Sequence, residues 1–129
     1  MDSPKKQLSV KVKHIQEIKL PSAALGLAVT EDDNFCHVTG MDGGVHKVNI
    51  DSKKTKRIGE HQSYAASLEY LSNRQTLISA GYDGHIIWHD LVKGRVYRNL
   101  KAHDFWSWQM KISANGSRLI FCVRWYTLP

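Results

Sequence analysis

The sequence is short of cysteine and has no long hydrophobic run. Among its 129 residues there are two cysteines, Cys36 and Cys122, which is too few for a small secreted fold built on disulfides. No apolar stretch approaches the length of a membrane-spanning helix, and no apolar core follows the basic N-terminal segment as it would in a signal peptide. We therefore expect no membrane association, and the cytoplasm is the default compartment.

The sequence also lacks the motifs of common catalytic and metal sites. It contains no P-loop, no GxGxxG fingerprint and no GxSxG nucleophile elbow. His85 and His89 are four residues apart on a predicted strand, where about 13 Å would separate their rings, too far for one ion. The acidic turn at 31–34 lacks the spacing of a calcium loop. The sequence therefore predicts no metal, no cofactor and no catalytic site.

Positive charge is concentrated in two short segments. The formal net charge is +6. The basic residues of these segments are Lys5, Lys6, Lys11, Lys13, Lys53, Lys54, Lys56 and Arg57. No aromatic residue lies among them, as stacking on nucleic-acid bases would require. Such segments are typical of solvated chain, so we expect no nucleic-acid partner.

The strongest pattern is a strand, a tight turn and a second strand over residues 77–91. The pair Asp83-Gly84 suits a hairpin turn between two apolar runs. A weaker copy lies at 38–50, where Asp42-Gly43 occupies the same place 41 residues earlier. A repeat of about 40 to 45 residues with four short strands per unit is typical of a propeller blade.

On these residues the chain resembles the WD-repeat β-propeller family, in particular its bacterial members. His89-Asp90 stands where the family has Trp-Asp, and Glu60-His61 and Ala102-His103 stand where it has Gly-His. The resemblance covers roughly residues 14–123. It implies an all-β fold of four-stranded antiparallel blades and an incomplete propeller of about two and three-quarter repeats.

The repeats divide the chain into three segments. Residues 1–13 are expected to be flexible or to form an edge strand, 14–123 to form the blades, and 124–129 to be an irregular tail, because the third unit departs from the pattern after Val123. The repeats are expected at about 14–54, 55–94 and 95–123. Each should begin with an outer strand, at about 14–19, 55–58 and 95–100.

The resemblance also implies a buried hydrogen-bonded network in each blade. In the second unit the matching residues are His61, Ser79, Asp83 and, in place of Trp, His89. The first unit keeps Thr39 and Asp42 but has Leu20 in place of the His, and the third unit supplies His103. These residues share their types with a Ser-His-Asp catalytic set, but the resemblance implies a structural role.

An aromatic cluster gives the most specific indication of function. Trp106 and Trp108 share one face at the start of a predicted inner strand. The resemblance implies that this position and the residue before the turn Asp line the top surface of a propeller, where partners bind. The other matching residues are Met41, Tyr64 and Tyr82. Aromatic residues and Met are favoured at interface hot spots. Packing between blades is the alternative interpretation for both tryptophans.

The resemblance therefore implies a scaffold that binds an unidentified protein partner through this aromatic surface. Two alternatives stay open: the chain is a non-autonomous piece of a larger multi-domain protein, or it is a propeller enzyme with a cofactor in its channel. The second is less supported, since acidic and histidine residues do not converge in the pattern. Unpaired strand edges also predict self-association.

Overall fold

A computed structural model of the protein describes residues 9–123 as three antiparallel β-sheets. The first sheet contains β1 (Ala24–Val29), β2 (Phe35–Gly40), β3 (Gly44–Asn49) and β4 (Thr55–Glu60). The second contains β5 (Ala65–Leu71), β6 (Thr76–Gly81), β7 (His85–Asp90) and β8 (Arg95–Lys101). The third contains β9 (Ser107–Ile112) and β10 (Leu119–Val123). A short 3-10 turn, Ser72–Arg74, joins β5 to β6. The predicted all-β class is confirmed.

Consecutive strands pair within each sheet. The strand order is β1-β2-β3-β4 in the first sheet and β5-β6-β7-β8 in the second, while β9 pairs with β10. This meander of four antiparallel strands, stacked on the next sheet, is the blade of an incomplete β-propeller. Within residues 9–123, no helix has the length and apolar content needed to cross a bilayer.

The outer strand predicted at 14–19 does not form. Residues 9–20 contain no strand, so the edge strand considered for residues 1–13 is absent from their described part. Residues 1–8 and the tail at 124–129 lie outside the described residues. β4 and β8 form because each pairs with the preceding strand of its own sheet. A strand at 14–19 would need a sheet edge before β1, and the described residues supply none there.

The first strands of the three sheets share one irregularity. Each of β1, β5 and β9 pairs with the next strand through a register shift near its beginning, as a β-bulge produces. Counted from this bulge, the equivalent residues of the three sheets are Leu27, Leu68 and Met110. The first two strands of the three sheets are therefore equivalent.

Two apolar clusters hold the sheets together. Between the first and second sheets lie Ala28, Val45, Leu68 and Leu77, with Ile58, Tyr70 and Leu91 packed against them. Between the second and third sheets lie Ile78, Ala80, Ile86 and Met110, with Trp88, Ala102, Ile112, Leu119 and Phe121 around them. The second sheet is therefore covered on both faces, and every residue of β6 is buried.

Candidate functional site

Four aromatic side chains form one cluster at the same end of the second and third sheets. Tyr64 precedes β5 and Tyr82 follows β6, while Trp106 precedes β9 and Trp108 is its second residue. The ring of Tyr82 is central. It stacks on Trp106 at a centroid distance of 4.7 Å and an interplanar angle of 8°, and it lies 5.3 Å from Tyr64 and 6.0 Å from Trp108. We call these four residues the aromatic surface.

The aromatic surface remains partly open to solvent. Tyr64, Trp106 and Trp108 are 38–43% exposed, whereas the interior between the second and third sheets is filled by Met110 and its apolar neighbours. Met41, which is 40% exposed, occupies the place of Tyr82 in the first sheet. The two residues make the same backbone hydrogen bond: Met41 N–H donates to Ala23 at 2.9 Å and Tyr82 N–H donates to Tyr64 at 2.8 Å.

A hydrogen-bonded network lies within the second sheet, beside the aromatic surface. The ring of His61 contacts Asp83 through Nδ1 at 3.0 Å and Ser79 Oγ through Nε2 at 2.8 Å. Ser79 Oγ also lies 2.9 Å from His89 Nε2. His61, Ser79 and His89 are all buried. The structure thus brings together the four residues that the sequence assigns to this blade.

Asp83 is the charged end of this network. Burial acts to raise the pKa of its carboxyl, but the hydrogen bond from His61 and the backbone N–H groups of Gln62 and His85 outweigh it and lower the pKa to about 2. The two backbone bonds measure 2.9 and 3.0 Å. Asp83 is therefore a carboxylate at neutral pH, and it accepts hydrogen bonds from two separate segments.

The polarity of the network follows from that carboxylate. Asp83 accepts from Nδ1–H of His61, so a neutral His61 ring accepts at Nε2 from the hydroxyl of Ser79. Ser79 then accepts from Nε2–H of His89, which leaves a lone pair on His89 Nδ1. That atom is buried and has no hydrogen-bond partner among residues 9–123. Hydrogen-bond donation therefore runs in one direction through all four side chains, from His89 to Ser79, to His61 and to Asp83.

The network fixes the segments that carry the aromatic residues. Gln62 N–H donates to Asp83, which ties the segment before Tyr64 to the turn that contains Tyr82. Ala102 N–H donates to Gly84 O at 3.0 Å, which brings the segment before Trp106 to the same turn. Gly84 has φ +76°, and a Cβ on it would overlap the carbonyl oxygen of His103. A glycine is therefore required where these segments meet.

The first sheet forms the turn but not the network. Asp42 Oδ1 accepts from Gly44 N–H at 2.9 Å, as Asp83 does from His85. Leu20 stands in place of the histidine, and Asp42 instead contacts His46 Nε2 at 3.2 Å and Arg57 Nη2 at 3.5 Å. Burial acts to raise the pKa of Asp42, but its hydrogen bonds and the nearby His46 lower it overall.

Thr39 is not brought to Asp42. Counted from the shared turn, it occupies the place of Ala80, not that of the network serine. A side chain on Gly26 would lie 2.5 Å from Thr39 Oγ1 and 3.1 Å from Ala66 O, which places the hydroxyl between the first and second sheets. It has no hydrogen-bond partner within residues 9–123. Thr39 and the network serine point in different directions because successive residues of a strand point to opposite faces of the sheet.

His103 also departs from the expected network. Its ring packs edge-on against Phe121, at a centroid distance of 5.4 Å and an angle of 70°. Phe121 occupies the place of Ser79, since each pairs with the equivalent residue of the strand before it. In the described part of the chain, His103 Nε2 has no hydrogen-bond partner. An aromatic contact thus replaces the serine hydrogen bond in the third sheet.

Sequence reasoning missed two histidines of the first sheet. His46 follows Asp42 by four residues in the same hairpin, a spacing that could have indicated their contact. His37 faces the second sheet, and neither of its ring nitrogens has a partner among the described residues. Burial, and to a smaller extent Lys47, lowers the pKa of His37 to about 4. Burial, with smaller contributions from His61 and His37, lowers the pKa of His89 to about 4.

A cleft of about 480 Å³ lies between the first and second sheets. Its lining includes Phe35, His37, Lys47, Tyr70, His89 and Arg95. Within residues 9–123, no group of three or more His, Cys, Asp and Glu side chains is arranged to hold a metal ion. Ser79 has no exposed surface and contacts two histidine rings, so its hydroxyl does not face a substrate as a nucleophile must.

The fold is similar to that of a solved propeller. The crystal structure of the WD40 β-propeller domain of Doa1 matches 79% of this chain with a TM-score of 0.70 and 19% sequence identity. The match spans 34% of that chain, about a third of its length. A scan of protein-family models and a search of curated proteins find no match to the sequence. The chain therefore has the WD40 propeller fold, which is a statement about architecture alone.

Proposed function

We propose that this chain is a non-enzymatic scaffold that binds a protein partner through the aromatic surface. The observation that carries the proposal is the position of four contacting aromatic rings at one end of the sheets, 38–43% exposed at three of them. Large exposed aromatic clusters are uncommon on a surface that has no partner. The same surface would serve whether the chain acts alone or within a longer protein.

The physical basis is preorganisation. Tyr and Trp bury a large area at a low cost in side-chain entropy, because each has only two side-chain torsions. Here stacking of Tyr82 on Trp106 restricts both rings before any partner arrives. The carboxylate of Asp83 fixes the adjoining backbone. Less ordering therefore remains for association, and more of the contact energy appears as affinity.

The position of Met41 extends the proposed surface to the first sheet. Met41 occupies the place of Tyr82 there and is 40% exposed. A flexible thioether at this position would adapt to the shape of a partner. We expect Met41 to contribute less than Tyr82 or Trp106, since Tyr and Trp dominate interface hot spots.

The test is capture of partners by the purified chain and by a double variant, Tyr82→Ala with Trp106→Ala. Tagged proteins are cross-linked in extract, and the captured proteins are identified by mass spectrometry. The matched control is Tyr97→Ala, since Tyr97 is 49% exposed on the outer strand β8, apart from the aromatic surface. We expect the double variant to lose proteins that the wild-type chain and the control both capture.

Retention of those proteins by the double variant would contradict the proposal. Far-UV circular dichroism separates the two interpretations of the aromatic residues. An unchanged β-sheet spectrum with lost capture assigns Tyr82 and Trp106 to binding. A lost β-sheet spectrum assigns them to packing between blades.

A further inference from the structure

One face of the first sheet is open along β1, where the same part of the other sheets is covered. Val38, which pairs with Leu27 on this face, is 6% exposed, so the open part is confined to β1. Leu27 is 64% exposed, whereas the equivalent Leu68 and Met110 are 6% and 1% exposed. Val29, two residues along β1, is 62% exposed, while the equivalent Tyr70 packs against the apolar cluster between the first two sheets. An apolar stripe of this kind is normally buried in a blade.

The chain itself indicates what covers this face in a blade. Leu68 is buried against Ala28 and Val45 of the sheet before it. Met110 is buried against Ile78 and Ala80 of the sheet before it. In both cases the residue is covered by the preceding sheet, through the face of that sheet that points towards it. The face that carries Leu27 therefore matches the far face of another blade.

The third sheet presents such a far face. Ile120 pairs with Lys111 as Ile78 pairs with Glu69, so Ile120 and Ile78 are equivalent. Ile78 is 4% exposed because the third sheet covers it, while Ile120 is 61% exposed. The exposed Leu27 on the first sheet is thus equivalent to Met110, and the exposed Ile120 on the third sheet is equivalent to Ile78. Met110 and Ile78 already pack against each other between the second and third sheets.

We propose that two copies of this chain associate head to tail, with Ile120 of each copy packed against Leu27 of the other. The contact repeats the packing of Ile78 on Met110. It joins sheet faces, whereas the sequence predicted association through strand edges. When each copy binds the next through two different surfaces, the same rotation relates every pair of neighbours. The copies form a closed ring if these rotations add up to a full turn. Two copies bring six sheets, within the four to eight blades of known propellers.

The test is light scattering on a sizing column over a range of micromolar concentrations, with the full chain. We expect a mass twice that of the 14.7 kDa monomer. Leu27→Asp and Ile120→Asp should each reduce the mass to that of a monomer, since each places a charge in the contact. The matched control is Val92→Asp, which alters a 71% exposed residue of the turn between β7 and β8 and should leave the dimer intact.

Mixing the two charged variants tests the head-to-tail geometry. One variant retains an intact Ile120 and the other an intact Leu27, so the mixture should form a weaker heterodimer although each variant alone is monomeric. Both altered residues are exposed, so the variants should keep the far-UV spectrum of the wild-type chain. Leu27→Ser and Ile120→Ser, which introduce no charge, should weaken the dimer in the same direction. A monomeric wild-type chain, a larger assembly, a dimer insensitive to both substitutions, or a mixture that stays monomeric would each overturn the proposal.

Discussion

The first and second sheets contain the same turn but differ in what holds it. In both, the turn aspartate accepts a hydrogen bond from the backbone N–H two residues later, at 2.9 and 3.0 Å. Only in the second sheet does a histidine from the preceding segment connect that aspartate to a buried serine. The turn is therefore a local structure, and the histidine is what connects it to the rest of the blade.

A single position accounts for much of this difference. His61 occupies the place that Leu20 has in the first sheet. Without a histidine there, Asp42 takes its partners from its own hairpin and from β4, at a site that is more exposed than that of Asp83. Buried polar atoms also remain unsatisfied in the first sheet, at His37 and Thr39. The second sheet also has an unsatisfied buried nitrogen, His89 Nδ1. Its network nevertheless joins the turn to the preceding segment, and these two segments carry Tyr82 and Tyr64 of the aromatic surface.

The most direct test of this comparison is to make the second sheet resemble the first. His61→Leu removes the partner of a buried carboxylate and leaves Ser79 with one histidine instead of two. A hydrogen bond to a charged group contributes about 1.5 to 3 kcal/mol. We expect a loss of unfolding free energy of that order, measured by urea denaturation. The matched substitution Leu20→His should change it by less than about 1 kcal/mol, since no serine stands at the corresponding place. Equal effects of the two substitutions would contradict the comparison.

A separate effect is expected from pH, and it arises at two buried histidines. His37 and His89 each have a pKa of about 4 in the fold, below the ordinary 6.5. Between these values the unfolded chain binds more protons, so stability is fully present above pH 6.5 and is lost as the pH falls towards 4. Each histidine should contribute a loss of about 2 to 3 kcal/mol.

The comparison variant for this pH dependence is His37→Phe. The ring nitrogens of His37 have no hydrogen-bond partner among the described residues, so an apolar ring of similar shape should be tolerated. Urea denaturation at pH 6.5 and at pH 4 should give about half the wild-type difference in unfolding free energy, because His89 still titrates. If the unfolding free energy of the wild-type chain were the same at pH 6.5 and at pH 4, the claim that both histidine rings are buried in the neutral form would be contradicted.

The sequence contains enough information for the fold because the repeat is regular. The 41-residue spacing of the two Asp-Gly turns predicts stacked four-stranded sheets, and these are present. The strand expected at 14–19 fails because its pairing depends on a sheet edge that those residues cannot supply themselves. Local patterns specify which residues suit a strand, but a partner strand decides whether it forms.

The candidate site is less accessible to sequence reasoning. The repeat register places His61 and Asp83 in one blade, and the structure joins them by a hydrogen bond. The register of Thr39 is one residue away from the network position, which moves its hydroxyl to the other face. The contact of Asp42 with His46 was missed, although their spacing within the hairpin predicted at 38–50 could have indicated it. Stacking of aromatic rings likewise depends on packing between sheets.

The measurement that tests the central claim most directly is hydrogen exchange on two matched variants, Asp83→Ala and Asp42→Ala. The claim is that the network of the second sheet holds the segments of the aromatic surface. Asp83→Ala should raise exchange at its own turn and also across residues 61–64, whose Gln62 N–H it binds. Asp42→Ala should raise exchange only within residues 41–46. Exchange confined to the local turn in both variants would contradict the claim.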